Sequence, residues 1–130
     1  MNPIYFDTFF SCDEPFINQP DEFAVITAYA TTGEKWSDEK NFQADNALKE
    51  FLDARFKWVK RITGYAPETG HAEPGWAVDC GWLESCEVGL RFNQDAIYYV
   101  TGDKLSVSYC DERREMVYVG GFSKQTGVQG

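Results

Sequence analysis

The sequence predicts a single α+β domain in which an antiparallel sheet carries two helices on one face. The first observation is the order of patterns along the chain: strand, helix, strand, strand, helix, strand and then two more strands. The second is a length of 130 residues with 43% apolar residues, which is enough for one domain to fill a core. The simplest architecture with this order is a ferredoxin-like βαββαβ core with an added C-terminal hairpin.

The elements of the first half follow from apolar patterning and from residues that break or cap regular structure. Residues 1–21 are expected to form an N-terminal arm and loop, and EFAVITAY, residues 22–29, a buried strand. Ser37 is the expected N-cap of a helix that runs to about residue 55. The apolar stripe of this helix is predicted to contain Phe42, Ala44, Ala47, Leu48, Phe51 and Leu52.

The second half is predicted to contain most of the sheet. FKWVKRIT, residues 56–63, alternates as a half-exposed strand does. GYAPETGHAEPGW, residues 64–76, is expected to be a loop because it is rich in glycine and proline. Gly89 weakens the helix predicted at residues 82–92. The remaining elements are the strands WAVDC, DAIYYV, KLSVSY and MVYVGG, a hairpin turn at Gly102-Asp103 and a flexible tail at residues 122–130.

The net charge of −9 is concentrated in the first half, where residues 1–54 contain eleven acids and three lysines. An acidic half repels phosphate backbones, so we expect no direct binding to nucleic acid. It suits a basic protein partner, or it serves only to keep the domain soluble. The chain start lacks the basic region of a signal peptide, and no apolar run approaches the roughly 20 residues of a membrane span. These features predict a cytoplasmic protein that does not contact a membrane.

The sequence lacks the motifs of the common metal, nucleotide and nucleophile sites. Cys80 and Cys86 are separated by five residues, which matches no common zinc spacing, and the four cysteines are interpreted as reduced thiols. The sequence has no glycine-rich nucleotide loop and no G-x-S-x-G elbow. We therefore expect no cofactor and no metal. A site, if there is one, must use carboxylates, amides, hydroxyls and at most His71.

The predicted topology brings polar loop residues to one edge of the sheet. With right-handed crossovers, the loop after the first strand, the loop 64–76, the segment RFNQD and the turn DERRE share that edge. Side chains on loops that a rigid sheet supports are a common way to build a site. The candidate ligand-binding residues are Tyr29, Ser37, Asn41, His71, Glu73, Gln94 and Arg113, with Asn93 and Arg114 beside them.

Each candidate also has a purely structural interpretation. Ser37 can be a plain helix cap, and Gln94 can satisfy backbone groups where the second helix meets the next strand. His71 can be a solvated loop residue, and Glu73, which precedes a proline, can simply stabilise a turn. Arg113 can pair with neighbouring acids at little energetic gain. A functional site at this edge therefore requires the whole cluster and the predicted topology.

Four segments in this order and spacing resemble a known family: FAVITAY, SDEKNFQADNALKEFL, EPGWAV and RFNQDAIYYV, over about residues 22–110. They resemble the small bacterial family catalogued as domain of unknown function 3293. The positions that match its pattern are Ser37, Asn41, Glu73, Phe92 and Gln94. The chain departs from it at Tyr29-Ala30-Thr31, Asp45 and His71, where the family usually has Asn-Pro, asparagine and tryptophan. The resemblance implies a small cytosolic bacterial or phage domain and implies no activity.

Three functions are compatible with the sequence. The favoured one is a small acidic binding or regulatory module for a protein or small-molecule ligand, one form of which is a phage-type inhibitor that mimics nucleic acid toward a basic host protein. The second is an enzyme in which Glu73 is the acid or base and Asn41 and Gln94 orient the substrate. The third is an assembly protein that pairs copies of itself through the strand 56–63 or through the terminal strand.

Overall fold

The computed structural model describes residues 8–12, 19–29, 36–67 and 70–126, which form a seven-stranded antiparallel sheet and three helices. The elements in chain order are β1 (Phe9–Cys12), β2 (Glu22–Thr27), α1 (Asp38–Asp53), β3 (Val59–Tyr65), β4 (Ala72–Val78), α2 (Trp82–Arg91), β5 (Ala96–Thr101), β6 (Lys104–Tyr109), β7 (Met116–Gly121) and α3 (Phe122–Gln125). The strand order across the sheet is β1-β3-β4-β2-β5-β6-β7. None of the helices in this part of the chain has the length and apolar character of a membrane span.

The sheet curves strongly toward one face. Phe10 on β1 and Tyr98 on β5 are four positions apart in the strand order, which corresponds to about 19 Å in a flat sheet. Their ring centroids nevertheless lie 5.1 Å apart. The face that carries both rings is therefore the concave inner face of a half-barrel.

This half-barrel corrects the predicted ferredoxin-like core with an added hairpin. The domain contains helices and strands, as an α+β fold does, but all seven strands belong to one continuous sheet. The segment expected to be an arm contributes β1, which pairs with β3, and β6 and β7 extend the sheet on the other side. The prediction was wrong because β1 and its partners on β3 are at least 50 residues apart in sequence, and no local pattern reveals such a pairing.

Each face of the sheet has its own apolar core. On the outer face, Leu48 and Leu52 of α1 and Cys86 and Val88 of α2 pack with strand residues such as Ile26. The inner core contains Phe10, Phe23, Val25, Ile62, Ala77, Val100, Leu105 and Phe122. Phe122 belongs to α3. This helix forms the first part of residues 122–130, the segment predicted to be a flexible tail. Residues 127–130 of that tail lie outside the described part.

The segment 64–76, expected to be a loop, is mostly strand. β3 and β4 pair continuously from Val59 and Val78 to Tyr65 and Ala72. A Cβ atom on Gly75 would lie 2.7 Å from the carbonyl oxygen of Ile26 and 2.7 Å from Cγ2 of Thr27. Gly75 therefore permits the close approach of β2 and β4 rather than a turn. The glycines and prolines of this segment suggested a loop, but they lie in a strongly curved part of the sheet.

The helix α1 begins at the predicted cap, because Oγ of Ser37 accepts a hydrogen bond from the backbone N–H of Lys40 at 3.1 Å. Its buried stripe differs from the prediction. Phe42 is 61% exposed and Ala47 is exposed, whereas Asp45 is only 2% exposed. The helix is thus rotated relative to the predicted stripe, and the reason is a set of buried partners for Asp45 on β3 and β4.

The positions of β3 and β7 in the sheet show which of the two proposed strands could pair with a second copy. β3, which contains most of the segment 56–63, is paired on both sides, with β1 and with β4. β1 covers Ile62–Tyr65 on the side of β3 opposite β4, so this part of β3 is closed to pairing with a second copy. β7 lies at the end of the strand order, and its pairing with β6 is interrupted between Leu105 and Ser106 by a bulge, a feature that disfavours edge-to-edge association.

Candidate functional site

The strand register gathers four half-exposed side chains on the inner face at one end of the half-barrel. Thr27, Tyr98 and Tyr109 lie on this face because side chains alternate along β2, β5 and β6. Glu73 is paired with Gly64, whose missing Cβ would point at the ring of Phe10, so Glu73 lies on the inner face too. We call Thr27, Glu73, Tyr98 and Tyr109 the mouth of the half-barrel; all four are half-exposed.

Glu73 is the charged member of the mouth. Its side chain is 33% exposed, and its Oε1 lies 3.5 Å from Nε2 of His71, whose side chain is 61% exposed. Burial raises the pKa of Glu73 above its ordinary value, while the charge of His71 and its hydrogen bond oppose that rise. A carboxyl group in this setting can exchange a proton, or it can pair with a cation.

Tyr29 lies just beyond the end of β2, at the rim of the mouth. Burial raises the pKa of its phenol, Asp45, Asp38 and Glu73 add to the rise, and Arg61 opposes it. These charges come from α1, β3 and β4. Tyr29 therefore stands where three elements meet, and it is electrostatically coupled to Glu73.

Gln94 is buried and forms hydrogen bonds to residues at the end of β2, next to the mouth. Its Oε1 accepts a hydrogen bond from Oγ1 of Thr27 at 3.0 Å, and its Nε2 donates to the carbonyl oxygens of Tyr29 at 2.8 Å and Phe92 at 3.1 Å. Both amide hydrogens thus have partners within the protein. This geometry favours a role for Gln94 in positioning Thr27 and Tyr29.

Arg113 also lies beside the mouth. Its guanidinium stacks on the ring of Tyr109 at 3.6 Å, and its Nε donates to both carboxylate oxygens of Asp111 at 2.9 and 3.0 Å. The neighbouring Arg114 and, on another turn, Asn93 have positive φ angles of 41° and 62°. Such angles are typical of turns. The turns in which these two residues lie therefore explain their positive φ angles.

Ser37 and Asn41 do not join the mouth. Both belong to the start of α1, and α1 packs on the outer face of the sheet. Asn41 is half-buried, and its backbone N–H donates to the carbonyl of Ser37 at 3.0 Å. The structure therefore gathers Tyr29, His71, Glu73, Gln94 and Arg113 around the mouth, whereas Ser37 and Asn41 lie on α1, whose Asp38 and Asp45 act electrostatically on Tyr29 at the rim.

A buried ionic cluster on the outer face was missed by the sequence reasoning. Asp45 accepts hydrogen bonds from both terminal nitrogens of Arg61, at 2.9 and 2.7 Å, and from Nε1 of Trp76 at 3.0 Å. The guanidinium also lies over the indole ring, 4.1 Å from its centroid. This cluster fixes α1 on the β3–β4 hairpin. An aspartate at helical spacing from Leu48 and Leu52 was the signal that could have revealed it.

The buried cysteines do not have the environment of reactive groups. Burial is the main cause that raises the pKa of the thiols of Cys80 and Cys110 to about 12. Both thiols are therefore protonated at neutral pH, and a protonated thiol is a poor nucleophile. Within the described ranges, no three side chains of the types that bind metals lie close enough together to bind an ion.

A comparison with protein families supports the predicted resemblance. The model described as a protein of unknown function (DUF3293) matches residues 26–97, more than half of the chain. The matched region contains Tyr29, Glu73 and Gln94 and leaves Arg113 outside. No curated protein and no solved structure is significantly similar to this chain.

Proposed function

The chain belongs to the family of proteins of unknown function DUF3293, and we propose that it is a small binding module whose ligand occupies the mouth of the half-barrel. The observation that carries this proposal is Glu73, a half-buried carboxyl group at an end of the inner face where the adjacent strand positions are Gly64, Gly75 and Thr27. A half-buried ionisable group with a perturbed pKa on a concave surface is a typical mark of a functional site.

The shape of the inner face supports the same location. Deeper in the half-barrel the face is filled by side chains such as Phe23 and Leu105, which are completely buried. At the mouth, Phe10 meets Tyr98 edge to face, and the residues above this pair stay half-exposed. A ligand there would rest on an aromatic floor and reach hydroxyl and carboxyl groups on the walls, an arrangement common in barrel mouths.

The mouth is also preorganised. The three hydrogen bonds of Gln94 fix the end of β2, and with it Thr27 and the backbone of Tyr29. Gly75 brings β4 close to β2 on the same face. Groups that are already ordered lose little entropy when a ligand binds, which favours affinity.

A fragment screen monitored by ¹H–¹⁵N spectra of the protein tests this proposal. Fragments that bind are expected to shift the amide signals of Thr27, Glu73, Tyr98 and Tyr109. Glu73→Gln should weaken a fragment that contacts the carboxyl about tenfold, or about 1.4 kcal/mol. Glu50→Gln, an equivalent change on the exposed side of α1, should leave the affinity unchanged. Fragments that bind only elsewhere, or equally well to both variants, would contradict the proposal.

A second candidate function is an enzyme in which Glu73 is the acid or base. The raised pKa of Glu73 and the contact with His71 favour it. Asn41 lies on the α1 side and the amide of Gln94 is already engaged, so Tyr29 and Thr27 are better placed to orient a substrate. For a substrate found in the screen, Glu73→Gln would abolish turnover but preserve binding. Unchanged turnover would exclude this function.

A further inference from the structure

We propose that the ligand of the mouth carries a cationic group, an amine or a guanidinium, that pairs with the carboxylate of Glu73. This inference rests on the binding function proposed above and specifies the chemistry of the ligand. It follows from the charges that line the mouth, from the aromatic rings around it and from the pairing of Arg113 beside it.

The lining of the mouth is short of positive charge. Within the described parts of β2–β6, the two outermost rows of the inner face at this end carry one carboxylate, that of Glu73, and no lysine or arginine; the other positions in these rows are Thr27, Ile62, Gly64, Gly75, Ala96 and Tyr109. The next row contains Tyr98, Val107 and the exposed Lys60, which lies four residues along β3 from Gly64, the partner of Glu73. His71 contacts Glu73 from the hairpin, but its side chain is mostly exposed. Because a half-buried site screens charge less than water does, a ligand cation would interact strongly with Glu73.

The aromatic side chains favour a cation as well. The faces of aromatic rings attract ammonium and guanidinium groups, and this attraction grows when the cation leaves water. Arg113 already makes this contact on the ring of Tyr109, at 3.6 Å. Tyr98 provides a second ring deeper in the mouth.

Arg113 does not reverse this preference. Its charge is paired with Asp111 through two hydrogen bonds and an ion pair of 2.8 Å. The charge of Asp95, immediately before β5, also acts on it. An anionic ligand would therefore meet a neutralised arginine and the repulsion of Glu73, and a neutral ligand would leave the carboxylate without a new partner.

Three probes of similar size separate the possibilities. The n-butylguanidinium ion, n-butylurea and pentanoate have similar shapes and carry positive, zero and negative charge. In titrations followed by ¹H–¹⁵N spectra at pH 7, butylguanidinium should shift the amides of the mouth and bind at least tenfold more tightly than butylurea. Pentanoate should not bind there. Raising NaCl from about 0.05 to 0.5 M should weaken the butylguanidinium complex severalfold, because salt screens the ion pair.

A variant and its control assign the effect to one residue. Glu73→Gln should reduce the affinity for butylguanidinium to that for butylurea, and Glu50→Gln should leave it unchanged. If Glu73→Gln does not fold, the comparison of probes on the unmodified protein still decides the question.

The possible failures are distinguishable. Equal binding of butylguanidinium and butylurea at the mouth would refute the cationic ligand and leave the binding function standing. Preferential binding of pentanoate would have the same meaning. If neither the probes nor the fragments shift the mouth, both proposals are refuted. Butylguanidinium shifts confined to the acidic start of α1, around Asp38 and Glu39, would also refute the cationic ligand at Glu73.

Discussion

Replacing Asp45 by asparagine tests whether the buried ionic cluster fixes α1 on the sheet. Asp45 is 2% exposed and accepts three hydrogen bonds, two from Arg61 and one from Nε1 of Trp76. Asparagine keeps the volume and one acceptor oxygen, but it removes the charge and turns an N–H₂ group toward the guanidinium. The change therefore isolates the electrostatic part of the contact.

The expected loss follows from the geometry. Breaking one partner of a buried ion pair costs roughly 3–5 kcal/mol, mostly because the other charge is left without compensation. The side chain of Arg61 is 29% exposed and can recover some hydration, and asparagine retains one hydrogen bond. We therefore expect a loss of about 2–3 kcal/mol, which lowers the melting temperature by roughly 6–15 °C for a domain of this size.

Urea unfolding and thermal melting measure this loss, and a double-mutant cycle with Arg61→Met measures the coupling. The double variant should be more stable than the sum of the single changes predicts, by at least about 1 kcal/mol. The matched control is Asp53→Asn on the same helix, where the side chains of Asp53 and its partner Lys49 are 47% and 37% exposed and the expected loss is below about 0.5 kcal/mol. A similarly small loss for Asp45→Asn, without coupling to Arg61, would refute the reasoning.

Three further predictions concern the carboxyl group of Glu73, the thiols of Cys80 and Cys110, and Gly89. Because burial raises the pKa of Glu73 above 4.5 in the folded chain, the protonated form favours folding, and this contribution is complete below pH 4.5 and is lost as the pH rises through the raised pKa. Measured by urea unfolding between pH 3.5 and 8, the free energy of unfolding of Glu73→Gln should therefore rise relative to that of the unmodified chain as the pH increases. A relative stability that falls with pH would contradict this prediction. The thiols of Cys80 and Cys110, with pKa values of about 12, should resist iodoacetamide at pH 8 in the folded protein and react after unfolding, as measured by mass spectrometry; rapid labelling of the folded protein would be inconsistent with their burial. Gly89→Ala should lower stability by about 1 kcal/mol in thermal melts, because a Cβ 2.6 Å from Sγ of Cys110 outweighs the gain in helix propensity; a more stable variant would show that the contact relaxes freely.

Local signals in the sequence were sufficient for the elements that local physics determines. Ser37 caps α1 as predicted, and the turn at Gly102-Asp103 joins β5 and β6 as predicted. The curvature of the sheet and the pairing of β1 with β3 were not predictable, since both depend on contacts between distant residues, such as Phe10 with Tyr98. The turn-like composition around Gly75 also concealed a strand.

The candidate site shows the same division. Glu73 and Gln94 were identified from their positions in loops, and the structure gives each a specific environment, a half-buried carboxyl for one and a buried bridging amide for the other. Tyr98 and Tyr109 were not identified, because they were seen only as strand residues. Their contribution to the mouth depends on the register of β5 with β6 and on the curvature that turns this face inward.

A crystal structure of the protein with the tightest-binding fragment tests the central claim most directly. The account predicts that the fragment lies on the inner face, contacts the carboxyl of Glu73 and rests against the ring of Tyr98. A fragment seated on the outer face beside α1 or α2, with the mouth unchanged, would contradict the claim that the mouth is the binding site.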